Sequence, residues 1–185
     1  MSTDLAARER QARLVQRALQ GDPSAFGELV ALYQRPLVSF AYRYLGSREE
    51  AEDAAQDAFV RVYLSLDRLR EPEAFAGYLF ATALNVCRKR AQRPLPPPPA
   101  AEADPSVEAQ AMRRAERDRV AKAIAALPEE YRATVSLRAH EALSFAEIAA
   151  ITGATEGACR VRYHRALEML RARLGVPAEN AEETP

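Results

Sequence analysis

Cysteine is scarce in this chain. Cys87 and Cys159 are the only two among 185 residues, and neither has another cysteine or a histidine at ligand spacing. A disulfide framework and a short-spaced zinc site are thereby excluded. No apolar run approaches the roughly 20 residues that span a bilayer. The opening MSTDLAARERQAR is too polar for a secretory signal. These absences point to a reduced, cytoplasmic protein with no membrane insertion. There is also no Gly-rich phosphate loop, no nucleophile–base pair and no carboxylate cluster with a metal pattern. The sequence therefore reads as non-enzymatic, without cofactor or metal.

Period-two alternation is missing as well, so strands are not expected. What is there is helix, rich in Ala, Leu, Glu and Arg, and the fold class is all-α. Asp22-Pro23 is a helix start, an acidic cap followed by proline at the first position. The pattern predicts a helix from about Pro23 carrying Phe26, Leu29, Val30 and Tyr33 inward. A second follows from about Pro36 through Phe40, Tyr44 and Leu45, ending at Gly46. Ser47 with Glu50 reads as a capping box opening an acidic helix that continues to about Leu66. Leu69 to Pro72 is a short loop, and a further helix runs from about Glu73 into a basic Arg88-Lys89-Arg90 run. PLPPPPAAEADP (Pro94–Pro105) reads as an extended tether, reaching at most about 40 Å. Helix resumes at about Val107, and Pro128 marks another start. The end of the chain, from Gly175, is a polar acidic tail.

The formal net charge is +0, but the charge is segregated. Glu49, Glu50, Glu52, Asp53 and Asp57 fall together, whereas Arg88, Lys89, Arg90 and Arg93 form a run with no acid. Screening confines surface fields to roughly 8–10 Å, so local sign matters more than the sum. One acidic and two basic faces suggest a protein partner plus nucleic acid. On the acidic helix, Ala51, Ala54, Ala55, Ala58, Phe59, Val62 and Leu66 make a core stripe. Opposite it, Asp53, Gln56, Asp57, Val60 and Leu64 mix carboxylates with aliphatics. A docking face and a solvated helix with stray aliphatics both fit that pattern.

Near the C-terminus, Ser144 and Glu147 form a capping box, with Phe145, Ile148 and Ala149 apolar behind it. Gly153 sits where a tight turn between two crossing helices needs positive φ. Thr155 then caps a helix bearing Arg160, Arg162, Arg165, Arg171 and Arg173. A basic second helix suits a helix-turn-helix that reads DNA.

In order and spacing these segments resemble the extracytoplasmic-function sigma factors of bacterial RNA polymerase. SREEAEDAAQDAFVRVYLSL is similar to the family's region 2.2, EAFAGYLFATALNVCRKRAQR to regions 2.3 and 2.4, and LPEEYRATVSLRAHEALSFAEIAAITGATEGACRVRYHRALEMLRARL to region 4. The resemblance implies two small helical domains on a Pro-rich linker. Residues 1–22 would be an N-terminal extension, 23–93 region 2, 94–114 the linker, 115–175 region 4 and 176–185 a disordered tail. It implies core RNA polymerase (β′ clamp helices and β flap), double-stranded and melted promoter DNA, and an anti-sigma factor as partners.

Carried over by position, Asp53, Gln56, Asp57, Val60 and Tyr63 would bind core polymerase. Leu69, Arg70, Glu71, Tyr78, Asn85, Arg88, Lys89 and Arg90 would serve the −10 element, with residues 69–73 as the base-capturing loop. Phe75 and Phe80 are expected in the core. After Asn85 the chain departs from the common Asp and Leu-Arg-Arg group, which leaves the −10 bases open. Thr155, Glu156, Arg160, Val161, His164 and Arg165 would face the −35 element. Arg160 is the guanine-reading candidate, and Arg165, Arg171 and Arg173 are phosphate contacts. Arg162 is expected in a scaffold ion pair and Cys159 in the core, while His140 is a surface or core histidine. A stand-alone regulator would leave the two-faced helix and the loop unexplained. A sigma mimic that only binds protein would have no use for the retained basic residues.

Overall fold

The computed structural model describes residues 2–92, 108–139 and 143–176, with side chains defined from residue 9 in the first segment and 112 in the second. The expected proline tether, His140 and the tail beyond Val176 lie outside the described residues. Among the described residues the fold is all helical: α1 (Ser2–Leu19), α2 (Pro23–Leu45), α3 (Arg48–Leu64), α4 (Phe75–Ala91), α5 (Glu108–Ala125), α6 (Glu129–Arg138), α7 (Phe145–Thr152) and α8 (Glu156–Leu174). Two single 3₁₀ turns, Leu66–Arg68 and Pro72–Ala74, join α3 to α4. Helix α5 begins at Glu108, within residues expected to belong to the linker.

The caps at Asp22, Ser144 and Thr155 form as expected. Two expectations fail locally. The pair of helices divided at Pro36 is one continuous helix, α2, with Pro36 inside it. An internal proline costs about 3 kcal/mol. Against that cost stands an unbroken buried stripe of Phe26, Leu29, Tyr33, Leu37, Phe40 and Tyr44, and burying each large side chain contributes about 1.5–3 kcal/mol. The second failure is the box at Ser47, where only half forms. Ser47 accepts from the Glu50 amide at 3.4 Å, but the Glu50 carboxylate turns away to Arg90.

Helices α2, α3 and α4 form a bundle whose core includes Phe40, Phe75, Phe80, Leu79 and Leu84, all fully buried. Helix α1 lies against α2 and the Pro72–Ala74 turn, burying Leu14 and Val15. A smaller core joins α5, α6 and α8 through Ile124, Leu127, Val135, Ala166 and Leu170. The two halves are not separate. Ala133, Leu137, Leu143, Ile148, Ala149 and Cys159 continue the larger core across a seam, where α2 meets α5 and α6, and α4 meets α7.

Polar contacts line the same seam. Arg88 Nε donates to Glu129 at 2.7 Å, and the Tyr44 hydroxyl reaches that carboxylate at 3.3 Å. The Arg132 guanidinium sits 4.4 Å above the Tyr44 ring. Burial pushes the Tyr44 phenol up to about 12, so it stays a donor. Gly46 ends α2 at φ +74, and a Cβ there would lie 3.1 Å from Ala125 Cβ. Its glycine thus meets both a left-handed turn and a close approach of α5.

Candidate protein-docking and nucleic-acid surfaces

The core stripe of α3 is buried in full. On its outer side Val60, Tyr63 and Leu64 are 53%, 55% and 75% exposed, next to exposed Asp53 and Gln56. Tyr63 is steadied edge-on by Phe26, with ring centroids 4.9 Å apart. An aliphatic and aromatic ledge rimmed by carboxylates is suited to a partner that is apolar at its centre and basic at its edge. Asp57 is half committed elsewhere, accepting from Arg90 Nη2 at 2.7 Å.

Arg90 therefore does not join its neighbours in sequence. Its side chain is 16% exposed, and the guanidinium bridges Glu50 at 2.9 Å and Asp57 at 2.7 Å, with Asp53 at 3.8 Å. Successive residues on a helix diverge by about 100°, so a run of three cations cannot share one face. The Asp57 hydrogen bond and charge, with Glu50 behind it, raise the Arg90 pKa further.

Arg88 and Lys89 instead border an open cleft of about 600 Å³ between α3 and α4, lined also by Arg61, Ser65, Tyr78, Thr82 and Asn85. Tyr78 is tied to Ser65, hydroxyl to hydroxyl, at 2.6 Å. That bond fixes an aromatic ring on the cleft wall. Three cations, three hydroxyls and an amide make a surface for a phosphate backbone with bases beside it.

The expected −10 residues thus divide. Tyr78, Asn85, Arg88 and Lys89 come together in the cleft. Leu69 turns inward at 9% exposure, and Arg70 and Glu71 are exposed at the loop tip. Arg61, Ser65 and Thr82 were not anticipated. A polar stripe at Tyr78, Thr82, Asn85 and Lys89 (i, i+4, i+7, i+11) is the signal that points to Thr82, and Arg61–Ser65 (i, i+4) is its counterpart on α3.

In the second half, Ser144 and Glu147 complete their box: the Ser144 amide donates to Glu147 at 2.7 Å and the Glu147 amide to Ser144 at 3.2 Å. Gly153 makes the turn at φ +70. The Thr155 hydroxyl accepts from the Ala158 amide at 3.2 Å, so its first task is to cap α8. Arg160 pairs with Glu156 and lies 5.0 Å from the centre of the Phe145 ring. Both contacts hold its fork at the exposed N-terminal end of α8. Val161, His164 and Arg165 are exposed on the same helix. Arg162 reaches Glu130 of α6 at 3.4 Å, the expected scaffold pair. Cys159 is fully buried against Thr152. Cys87 is buried too, and desolvation pushes its thiol up to about 12, which keeps it protonated and inert. Among the described residues, no group of His, Cys, Asp and Glu is arranged to hold a metal, and no helix is long and apolar enough to cross a membrane.

Comparison with known proteins bears on these surfaces. The profile of sigma-70 region 2 matches residues 29–93, and that of sigma-70 region 4 matches residues 117–170. The RNA polymerase sigma-H factor of Pseudomonas aeruginosa is 31% identical over 182 residues, covering 90% of this chain and 94% of its own. The ECF RNA polymerase sigma-E factor of Escherichia coli K12 is 32% identical over 174 residues, covering 85% and 90%. Among solved structures, CnrH in complex with the cytosolic domain of CnrY shares 28% identity at a TM-score of 0.72, covering 91% of this chain and 99% of that one.

Proposed function

Because the chain belongs to the extracytoplasmic-function sigma factors of the sigma-70 family, non-catalytic subunits for transcription initiation by RNA polymerase, we propose a division of labour among its three surfaces. Residues 23–93 act as region 2 and 115–175 as region 4. The outer face of α3, with Asp53, Gln56, Val60 and Tyr63, docks on core polymerase, apolar ledge to apolar groove and acids to a basic rim. Leu64, the most exposed aliphatic of that ledge, joins them.

The cleft takes the −10 element. Arg61, Arg88 and Lys89 hold phosphates, Tyr78 covers the edge of the opened duplex, and Asn85 bonds a base. The loop from Leu69 to Glu73 receives an unstacked base, with Arg70 and Glu71 at its tip and Leu69 as its root in the core. Extruding a base costs a few kcal/mol, which such a receptor offsets. Arg90 serves α3, not DNA. The N-terminal end of α8 reads the −35 element, Arg160 on a guanine edge and Arg165 on phosphate.

The observation that carries this reading is the joining of three cations, Tyr78 and Asn85 in one open cleft between α3 and α4. In the present arrangement Arg88 is bonded across the seam to Glu129, so its engagement with a −10 phosphate requires that ion pair to break. The likeness to CnrH, solved with the cytosolic domain of CnrY, supports a protein partner, and membership of the family suggests that it is an anti-sigma factor. The protein would act in the cytoplasm.

Run-off transcription with purified core polymerase tests the whole, on promoters found by mapping transcript starts after overexpression. Transcripts are expected only when the chain is present, and their absence from every such promoter would leave a protein-binding mimic. Asp53→Lys tests the docking face, since Asp53 is the acid least committed to Arg90. Capture of core polymerase should fall, and undiminished capture would remove α3 from the interface.

A further inference from the structure

Gln11 is a buried polar side chain, 5% exposed, on a helix outside the matched region 2 segment. Its amide is used at both ends. Nε2 donates to the carbonyl oxygens of Pro72 at 3.3 Å and Glu73 at 3.2 Å, and Oε1 accepts from the Tyr33 hydroxyl. Tyr33 is itself buried and packs against Phe75, with ring centroids 5.6 Å apart.

The segment between Leu69 and Phe75 is thus pinned at three places. Leu69 and Phe75 are its buried ends, and Gln11 holds two successive carbonyls between them. With the Tyr33 hydroxyl donating, the bridge needs an acceptor toward Tyr33 and donors toward the carbonyls, and an amide supplies both. A leucine would leave two carbonyls and a hydroxyl without this partner, and a carboxylate would face the carbonyls with acceptors.

We propose that α1 is a brace for the base-receiving loop and that Gln11 is its positioning residue. The inference rests on the reading of residues 69–73 as that loop. A receptor held in its bound shape spares the ordering cost when the base arrives. Loosening Gln11 therefore weakens discrimination for the captured base, while core binding and −35 recognition stay intact.

The test uses holoenzyme reconstituted from the full chain and core polymerase. Each non-template base of the −10 element is replaced in turn by an abasic site, and open-complex formation is measured. For the wild type, one position should stand out as sensitive. Gln11→Leu should reduce the ratio between intact and abasic promoter at that position about tenfold, the scale of one or two net hydrogen bonds. Tyr33→Phe keeps the ring packing, removes the hydroxyl that orients the amide, and should give a smaller loss in the same ratio. It also serves if Gln11→Leu fails to fold.

A sensitive wild type with both variants unchanged in that ratio overturns the bracing role and leaves the loop's role standing. An insensitive wild type overturns the loop reading, and the brace with it. Equal losses at all positions would mark a general folding defect and would also count against the proposal.

Discussion

Replacing Arg90 by alanine separates two uses of a basic run that the sequence alone cannot. The guanidinium makes charge-assisted bonds to Glu50 and Asp57 at 2.9 and 2.7 Å, and its own side chain is 16% exposed. Hydrogen bonds to charged groups contribute about 1.5–3 kcal/mol when well buried. Here the carboxylates are 32% and 48% exposed and regain water when the arginine is lost. That discounts each bond toward the ~0.2–1 kcal/mol of surface pairs. Allowing for repulsion among Glu50, Asp53 and Asp57 once they are unpaired, the loss should be about 1–2 kcal/mol. For a chain of this size it lowers Tm by about 2–8 °C.

Binding should behave differently. Each phosphate contact adds about 0.9 to the slope of log K against log salt on duplex DNA, and about 0.7 on a single strand. Holoenzyme with Arg90→Ala should keep the wild-type slope on a promoter fragment. Arg88→Ala and Lys89→Ala should each flatten it by about 0.7–0.9. A flattened slope for Arg90→Ala at unchanged Tm would refute the reasoning, because it would mean that Arg90 leaves its acids for phosphate.

Other outcomes follow from single contacts. Gly46→Ala should destabilise by about 1–2 kcal/mol for its left-handed φ, with more lost against Ala125. Gly175→Ala shares the positive φ with open space around it, so the difference between their thermal melts measures crowding at the seam. Hydrogen bonds from Ser24 and Arg17 hold the Asp22 carboxyl down to about 2 from 3.8. The stabilisation it gives is present above pH 3.8 and is lost as pH falls toward 2. Melting curves of Asp22→Asn should lack that part of the acid dependence. Arg160→Ala should cost about 1–3 kcal/mol at one −35 base pair and relax specificity there. Arg165→Ala should weaken binding evenly across sequences in the same mobility-shift series.

Local features of the fold were legible because their causes are local. The Asp22, Ser144 and Thr155 caps, the turn at Gly153 and the alanine-rich stripe of α3 depend on residues within one or two turns. The inward place of Cys159 and the turning of Arg162 off the outward face follow from helical position, whereas the partner of Arg162, Glu130, lies 32 positions away and was not legible. Pro36 misled because its cost is local, whereas the stripe that overrides it is tertiary. Glu50 was expected to fold back on Ser47 and instead reaches 40 positions along the chain to Arg90. The basic run at Arg88–Arg90 read as one surface because sequence adjacency hides the helical turn that sends Arg90 to α3 and its neighbours to the cleft. Least legible was the seam. The apolar residues of α6 and α7 are too few to say whether they cover their own small core or a neighbour's.

Glu129 and promoter phosphate draw on the same cation. The two associations are therefore thermodynamically linked, and the linkage runs both ways. A ligand that takes the Arg88 guanidinium loosens the closed arrangement by as much as closure weakens that ligand's hold. A single carboxylate on α6 can thus tune how tightly a cleft between two other helices holds its anion.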